Sequence, residues 1–314
     1  MEIVLLEPLG VSQKSLEIMK TDFEKNHHHF RYYPTRTENE NELADRTGNA
    51  DIAILSNIKV SEKYFSKCKN LKFLQVAFTG FDHVDLEYCK KNNISVSNAA
   101  GYATTAVAEI TLSLALSLLR NTNKMENNLK TLNDRNGFLG DELAGKTLGI
   151  IGTGSIGMAV AKLFLAFGCR VLAYSRTQKN FVSIEYTSLE TLLEQSDIIS
   201  LHVPYTPETH HLINEETLNK CKKSALLINT ARGLVVDSKA LAKALNENKL
   251  AGAGIDIYEK EPPLPENHPL LSAKNTILLP HIAYATKQSM EKRLEIVYDS
   301  INLWIDGKQI NKVV

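Results

Sequence analysis

The chain has 314 residues, enough for about two domains with sizeable cores. Its 36 basic and 36 acidic side chains balance, so no net field attracts nucleic acid or an anionic membrane. No apolar run approaches the length that spans a bilayer, and the N-terminus enters a strand pattern without a signal-peptide arrangement. The four cysteines are widely scattered, which favours reduced thiols over a disulfide framework or a zinc site. We therefore expect a cytoplasmic protein with no nucleic-acid or membrane partner.

The first hundred residues alternate strand and helix patterns, which predicts one small α/β unit. Short apolar runs typical of parallel strands stand at 3–7, 51–55, 73–77 and 94–96. The polar segment 25–49 carries a histidine triplet, His27 to His29. Because no spaced partner ligand accompanies the triplet, we expect a solvated loop there and no metal site.

The rest of the chain predicts a second, larger unit. Residues 104–119 have a helical pattern that is apolar on nearly every side, which is typical of a helix buried in a core or an oligomer interface. Beyond it, strand patterns alternate with helices as in a doubly wound parallel sheet, at 147–151, 170–174, 198–203, 225–230, 252–257 and 276–279. The final predicted helix spans about 287–305.

A glycine motif lies between the first strand and the first helix of this second unit. Gly152, Gly154 and Gly157 form a G-x-G-x-x-G pattern, which in this context indicates a dinucleotide site. The first glycine permits the tight turn, the second lets the backbone approach a pyrophosphate, and the third allows the helix to pack closely on the strand. The phosphate is then expected against the N–H groups at the helix N-terminus.

The end of the next strand indicates which nicotinamide cofactor is preferred. An NAD site usually has an acidic residue about 20 residues beyond the glycines, to accept from the ribose hydroxyls. Here Ser175 and Arg176 stand at that place, and no acid occurs from Arg170 through Ile184. A hydroxyl and a guanidinium could hold a ribose phosphate, so we predict NADP(H), with NAD as the alternative. In that alternative, Arg176 only stacks on adenine.

Three residues just beyond the carboxyl ends of strands could carry chemistry, because ligands bind at that edge in such sheets. Arg232 could hold a carboxylate and polarise a carbonyl, and His281 could donate a proton to a developing alkoxide. Glu261 could bond the other ring nitrogen and orient the imidazole. Taken singly, each has a structural alternative, such as a loop histidine, a helix-capping arginine or a surface acid. Nearby Glu259 is expected to be a surface acid.

These motifs, in this order over nearly the whole chain, resemble the D-isomer-specific 2-hydroxyacid dehydrogenases. Further matching blocks are 71–85, 98–109, 145–149 and 201–204. The resemblance implies a Rossmann-type doubly wound sheet with a smaller flavodoxin-like α/β domain. It implies an NAD(P)-dependent oxidoreductase that interconverts a small 2-oxo acid and its 2-hydroxy acid, with D stereochemistry. It also places the family's catalytic Arg, Glu and His on Arg232, Glu261 and His281.

The resemblance assigns binding residues as well. The substrate carboxylate is expected on backbone N–H groups of Thr79 and Gly80, and Tyr102 matches either a substrate-facing or a packing tyrosine. The expected cofactor contacts are Thr104, Gly152, Gly154, Ser155, Ile156, Gly157, Ser175, Arg176, Val203, Pro204, Thr230, Ala231 and Asp256. The chain departs from the family pattern at Phe78 and Ala283, where smaller residues are frequent, which leaves the size of the substrate open.

The resemblance also predicts the organisation of the domains. Residues 1–98 and 284–314 are expected to form the substrate domain, and residues 99–283 the dinucleotide-binding domain. The helix at 104–119 matches the segment that forms the family's homodimer interface. Two alternatives remain at this point, a nucleotide-sensing corepressor-like interaction protein and a dehydrogenase of the formate or phosphite type.

Overall fold

The computed structural model describes residues 1–179 and 181–314. The chain divides into two compact units, Met1–Ala103 with Ala285–Val314, and Thr104–Tyr284. No helix in the described part of the chain is both long enough and apolar enough to cross a membrane.

The strands and helices are numbered in chain order. The strands are β1 (Glu2–Leu5), β2 (His29–Tyr32), β3 (Ile52–Leu55), β4 (Phe73–Val76), β5 (Ser95–Asn98), β6 (Thr147–Ile151), β7 (Arg170–Tyr174), β8 (Ile184–Tyr186), β9 (Ile198–Leu201), β10 (Leu226–Asn229), β11 (Gly252–Ile255) and β12 (Thr276–Leu278). The α-helices are α1 (Gln13–Lys25), α2 (Glu40–Thr47), α3 (Glu62–Phe65), α4 (Leu86–Lys91), α5 (Thr104–Arg120), α6 (Thr122–Lys130), α7 (Ser155–Ala166), α8 (Leu189–Gln195), α9 (Glu215–Asn219), α10 (Ser238–Asn246) and α11 (Lys287–Ile305).

The first unit contains a parallel sheet of order β2-β1-β3-β4-β5. This is the flavodoxin-like order, and the predicted fold class is confirmed for this unit. β3 and β4 are buried at every position, as expected for strands covered on both faces. Helix α11 returns to this unit, where Trp304 stacks on Phe73 of β4 with ring centroids 4.8 Å apart.

The second unit contains a parallel sheet of order β12-β11-β10-β9-β6-β7-β8. Its first strand in sequence, β6, lies between β7 and β9, so the chain winds outward in both directions as in a Rossmann fold. Alternate residues of β6 face two apolar layers. Ile150 belongs to the layer that includes Phe164 of α7, whereas Ile151 belongs to the layer that includes Leu241 of α10.

The helix boundaries follow local capping chemistry. The Asp237 carboxylate accepts from the N–H groups of Lys239 and Ala240 and so begins α10. Thr286 and Ser289 form a reciprocal capping box at the start of α11, whose bounds agree with the prediction.

Several elements differ from the sequence-based expectation. The expected loop over 25–49 instead contains β2 and α2, and His29 is the first residue of β2. An exposed edge position accepts a polar residue, which explains why composition indicated a loop. Strand β8 and helix α6 were not predicted, because β8 has three residues and α6 contains no buried residue to produce an apolar periodicity.

Candidate active site

The glycine motif forms a turn that only glycine could complete. Gly152 has φ +99°, and a Cβ there would lie 2.5 Å from the carbonyl oxygen of His202. A Cβ on Gly157 would lie 2.0 Å from the carbonyl oxygen of Gly152, so the start of α7 packs directly on the turn. A Cβ on Gly154 would instead meet no atom within 4 Å.

This loop fits a dinucleotide. Gly154 is the N-cap of α7 and faces open space, while the first N–H groups of α7, from Ser155, Ile156 and Gly157, have no partner within the helix. Those N–H groups and the positive end of the helix dipole suit a pyrophosphate. The motif therefore has the shape and the donors that such a cofactor needs.

His202 lies beneath the loop and serves its packing. Its Nε2 lies 2.8 Å from the hydroxyl of Ser200, and its backbone N–H donates to the Ile151 carbonyl at 2.7 Å. Burial lowers the pKa of His202 to about 3, so the imidazole is neutral at physiological pH. The neighbouring Val203 side chain also lies close to Gly152, which places the start of the 203–204 segment beside the glycine turn.

The segment after β7 presents cationic and hydroxyl groups. Ser175 is half-buried and Arg176 is exposed, and the sequence from Ser175 to Lys179 contains no acid. Glu208, in a short 3₁₀ turn at Pro207–Thr209, lies close enough to Arg176 to interact with its charge. The pKa of Glu208 is lowered chiefly by a hydrogen bond from Thr206, with a contribution from the charge of Arg176.

Glu261 and His281, two of the three predicted catalytic residues, are in contact. The Nδ1 atom of His281 lies 2.9 Å from both carboxylate oxygens of Glu261. The His281 side chain is 12% exposed and that of Glu261 is 54% exposed. The ring of Tyr284 meets the imidazole edge-on, with centroids 5.1 Å apart, a contact that no sequence motif indicated.

Asp256 holds the turn that carries His281. Its main-chain carbonyl accepts the His281 N–H at 2.8 Å, and its carboxylate oxygens accept the N–H groups of Ile282 at 2.8 Å and Ala283 at 2.9 Å. His281 has φ +55°, a left-handed conformation that costs a non-glycine residue free energy and must be held by its surroundings. Burial raises the pKa of Asp256, while the two backbone donors oppose that rise. The sequence indicated Asp256 only as a cofactor contact.

Arg232 lies in a turn that is braced from two sides. The side chain of Asn229, which is 1% exposed, donates to the Arg232 carbonyl and accepts the Ala231 N–H, both at 3.0 Å. Gly233 packs against the backbone of Tyr258, where a Cβ would lie 1.9 Å from the Tyr258 carbonyl carbon. The Arg232 turn and the segment leading to Glu261 are therefore locked together.

Glu259 is not the surface acid that the sequence suggested. Its carboxylate lies 3.2 Å from Nε2 of His268, whose side chain is 9% exposed. Burial raises the pKa of Glu259, but hydrogen bonds from Ser238, its own backbone and His268 outweigh this and lower the pKa overall. The pair joins the two ends of the loop that contains Glu261.

Two of the remaining predicted cofactor residues lie in or beside α5. Thr104 is its first residue, and the Thr230 hydroxyl lies 3.2 Å from that of Thr111 in the next turns of the helix. Ala231 follows Thr230 in the Arg232 turn, and Pro204 is exposed after β9.

The predicted substrate residues belong to the first unit. The Thr79 carbonyl, just after β4, accepts from the Asn98 side chain at 2.6 Å, and Gly80 follows in the same loop. Tyr102 is 3% exposed, its ring lies 6.1 Å from that of Phe78, and the guanidinium of Arg293 lies 5.6 Å from its centroid. Of the two roles that the sequence left open for Tyr102, facing the substrate or packing, these contacts favour packing.

No group of three or more His, Cys, Asp or Glu side chains that could hold a metal ion occurs within residues 1–179 and 181–314.

The chain is similar to known proteins in sequence and in fold. Residues 112–283 match a family model described as D-isomer specific 2-hydroxyacid dehydrogenase, NAD binding domain. A glyoxylate reductase from Thermofilum pendens is 40% identical over 295 residues, covering 90% of this chain and 86% of that protein. A D-lactate dehydrogenase from Aquifex aeolicus, solved with NAD and lactic acid, is 36% identical with a TM-score of 0.86, covering 98% and 96% of the two chains. An acyclic imino acid reductase solved with NADPH and D-Arg is 28% identical with a TM-score of 0.92, covering 100% of both chains.

Proposed function

Since this chain belongs to the D-isomer-specific 2-hydroxyacid dehydrogenase family and is an NAD(P)-dependent oxidoreductase, we propose that it reduces small 2-oxo acids to D-2-hydroxy acids with a preference for NADPH. The observation that carries the proposal is the contact between Glu261 and Nδ1 of His281 at 2.9 Å. A carboxylate bonded to one ring nitrogen fixes the orientation of the imidazole and leaves the other nitrogen to exchange a proton with a carbonyl oxygen.

The protein's groups have distinct roles in this reaction. When bound, the nicotinamide supplies the hydride that adds to the 2-oxo carbon. With Nδ1 bonded to Glu261, we assign the other ring nitrogen of His281 to deliver the proton to the carbonyl oxygen, which completes the 2-hydroxy acid. Arg232 stabilises the negative charge that develops on that oxygen. In the oxidative direction the same imidazole accepts the proton.

The substrate class follows from the proposed binding groups. We assign the substrate carboxylate to the backbone N–H groups of Thr79 and Gly80, which any 2-oxo acid can satisfy. The glyoxylate reductase from Thermofilum pendens supports a small substrate. Because Tyr102 is buried, we assign it to packing behind this loop. Accordingly, we propose that the first unit binds the substrate and the second the cofactor.

The NADPH preference rests on Ser175 and Arg176. Residues 175–179 contain a hydroxyl and a guanidinium but no acid. This combination suits a 2′-phosphate, whereas a carboxylate at the same place would repel it. The acyclic imino acid reductase was solved with NADPH, whereas the D-lactate dehydrogenase was solved with NAD, so each cofactor is bound by a relative of this chain. The remaining proposed contacts are the residues predicted from the sequence, namely Thr104, Gly152, Gly154, Ser155, Ile156, Gly157, Val203, Pro204, Thr230, Ala231 and Asp256.

A homodimer is part of the proposal. Leu129, Leu132 and Leu139, at the end of α6 and just beyond it, are 74%, 96% and 80% exposed. Three large apolar side chains within eleven residues suit a surface covered by a second copy, adjacent to the apolar helix α5. Sedimentation velocity tests this; a monomer at micromolar concentration would contradict it. The cytoplasmic location stays a prediction.

The direct test is the initial rate of NADPH and of NADH oxidation with glyoxylate, hydroxypyruvate, pyruvate and bulkier 2-oxo acids. We expect turnover with a small acid and a higher kcat/KM for NADPH. Adding methylamine to each acid generates imines and tests the activity named for the imino acid reductase. Cofactor binding without turnover of any acid would favour a sensing protein, and oxidation of formate or phosphite would favour that type of dehydrogenase. Equal use of both cofactors would remove the NADPH preference alone.

A further inference from the structure

We propose that Tyr186 is a specificity-determining residue for the cofactor. Its hydroxyl joins the glycine turn to the segment that carries Ser175 and Arg176, and so fixes the position of the 2′-phosphate site. This inference rests on the proposed NADPH preference and adds a residue that belongs to no motif in the sequence.

The hydroxyl of Tyr186 lies at the centre of a chain of hydrogen bonds. It accepts the backbone N–H of Lys179 at 2.8 Å and donates to the Thr153 hydroxyl at 3.2 Å. The Thr153 hydroxyl in turn donates to the Thr177 carbonyl at 3.3 Å. Each hydroxyl therefore accepts one bond and donates another, an arrangement in which neighbouring bonds strengthen one another.

The residues of this chain belong to two different parts of the proposed cofactor site. Thr153 lies between Gly152 and Gly154 and is 2% exposed, so it is fixed within the turn proposed for the pyrophosphate. Thr177 and Lys179 are exposed residues just beyond Arg176. The bonds through Tyr186 thus tie an exposed segment to a rigid, buried one.

The exposed segment has few other constraints of its own. From Ser175 to Lys179 no residue is part of a helix or a strand, although β7 and β8 flank the segment. Tyr186 is the last residue of β8 and is paired with Ala173 of β7, so its ring is held by the sheet. A ring anchored in the sheet, together with Thr153, can hold the backbone on both sides of Gln178 and restrict where Arg176 lies.

This restriction matters for selectivity because a preorganised cation binds an anion better than one that must first be ordered. Only a cofactor with a 2′-phosphate gains from a fixed Arg176. Loss of the Tyr186 hydroxyl should therefore weaken binding of a 2′-phosphate and leave binding of the rest of the nucleotide unchanged.

The test uses two probes that differ only in that phosphate, adenosine 2′,5′-bisphosphate and adenosine 5′-monophosphate, with titration calorimetry on the full chain. We expect Tyr186→Phe to weaken the bisphosphate about fivefold, the size of one lost hydrogen bond, and to change the monophosphate less than about twofold. Thr153→Val should have a similar effect, and the double variant should be little worse than either single one, since both remove the same chain. Tyr298→Phe, in α11 of the first unit, is the matched control.

The outcomes separate this inference from the proposal beneath it. If the wild-type protein binds both probes equally, the NADPH preference and the role of Tyr186 both fail. If the wild-type protein favours the bisphosphate and Tyr186→Phe retains that preference, only the role of Tyr186 fails. Equal weakening of both probes would show a general structural role and would also overturn the inference. Thermal unfolding of each variant verifies that it is folded.

Discussion

The carboxylate of Asp256 accepts hydrogen bonds from both residues that follow His281, at 2.8 and 2.9 Å, while its main-chain carbonyl accepts from His281 itself. One buried acid thus fixes the left-handed turn from which the imidazole reaches Glu261. Because backbone geometry sets where the ring lies, we regard Asp256 as a positioning residue for the proposed proton transfer, in addition to any contact with the cofactor.

Replacing Asp256 with asparagine tests this positioning. The amide retains one acceptor but turns an NH₂ group toward a backbone N–H, so one bond is lost and two donors face each other. We expect kcat to fall about tenfold or more and the protein to lose about 1–3 kcal/mol of unfolding free energy. Steady-state rates with the preferred 2-oxo acid and urea unfolding measure the two effects. Asp306→Asn, at the end of α11, is the control, and wild-type kcat in Asp256→Asn would contradict the positioning role.

Glu261→Gln should retain the fold and lose turnover. Glutamine can still bond Nδ1 of His281, but it has no charge to stabilise the imidazolium that the proposed mechanism requires. We expect kcat to fall about 100-fold or more, within the range typical of general acid–base groups, with nearly unchanged Kd for NADPH. Glu266→Gln, an exposed acid of the same loop, should behave as wild type. A Glu261→Gln variant with more than half of wild-type kcat would remove Glu261 from the mechanism.

Alanine at two glycines of the motif should have two different effects, one on cofactor binding and one on folding. Gly154 has φ −66° and faces open space, so Gly154→Ala should fold normally. We expect this variant to bind the cofactor at least about tenfold more weakly, because the methyl group occupies the space proposed for the pyrophosphate. Gly157→Ala would place a methyl group 2.0 Å from the Gly152 carbonyl oxygen, and this helix cannot shift without losing its packing. We therefore expect low yield or a large drop in melting temperature.

Circular dichroism and calorimetric titration with NADPH distinguish the two glycine variants. If Gly154→Ala binds NADPH as tightly as the wild type, the pyrophosphate does not lie at this turn.

His202 should make stability depend on pH. The folded state keeps this imidazole neutral down to about pH 3, whereas the unfolded chain protonates it below its ordinary pKa of about 6.5. Between these values the unfolded state binds the extra proton, so His202 contributes a loss of stability as pH falls below 6.5, with a limiting slope of about 1.4 kcal/mol per pH unit. Above pH 6.5 this contribution is constant.

Urea unfolding at pH 7.5, 6.0 and 5.0 measures that slope. His202→Asn should be less stable at pH 7.5 but show a shallower loss on acidification, whereas His210→Asn, at an exposed position, should keep the wild-type slope. Identical slopes in wild type and His202→Asn would show that His202 is protonated in the folded state.

Local patterns in the sequence determined the order of elements and the family. Residues close in sequence are enough to indicate a strand that is buried on both faces, such as β6. They also indicate helices with clear caps, such as α10 and α11. The glycine motif is equally local, because strand, turn and helix follow one another without interruption. The same patterns named Arg232, Glu261 and His281 as candidates, but not their contacts.

Only the tertiary structure decided which groups meet. Asp256 and Ala283, or Tyr186 and Thr153, are separated by 27 and 33 residues, and hydrogen bonds across such distances leave no periodicity in the sequence. Glu259 could not be distinguished from a surface acid until the chain had brought His268 against it. Short or exposed elements such as β2, β8 and α6 were missed for a related reason. Their stability comes from neighbouring strands and helices rather than from their own residues, so their sequences carry little signal.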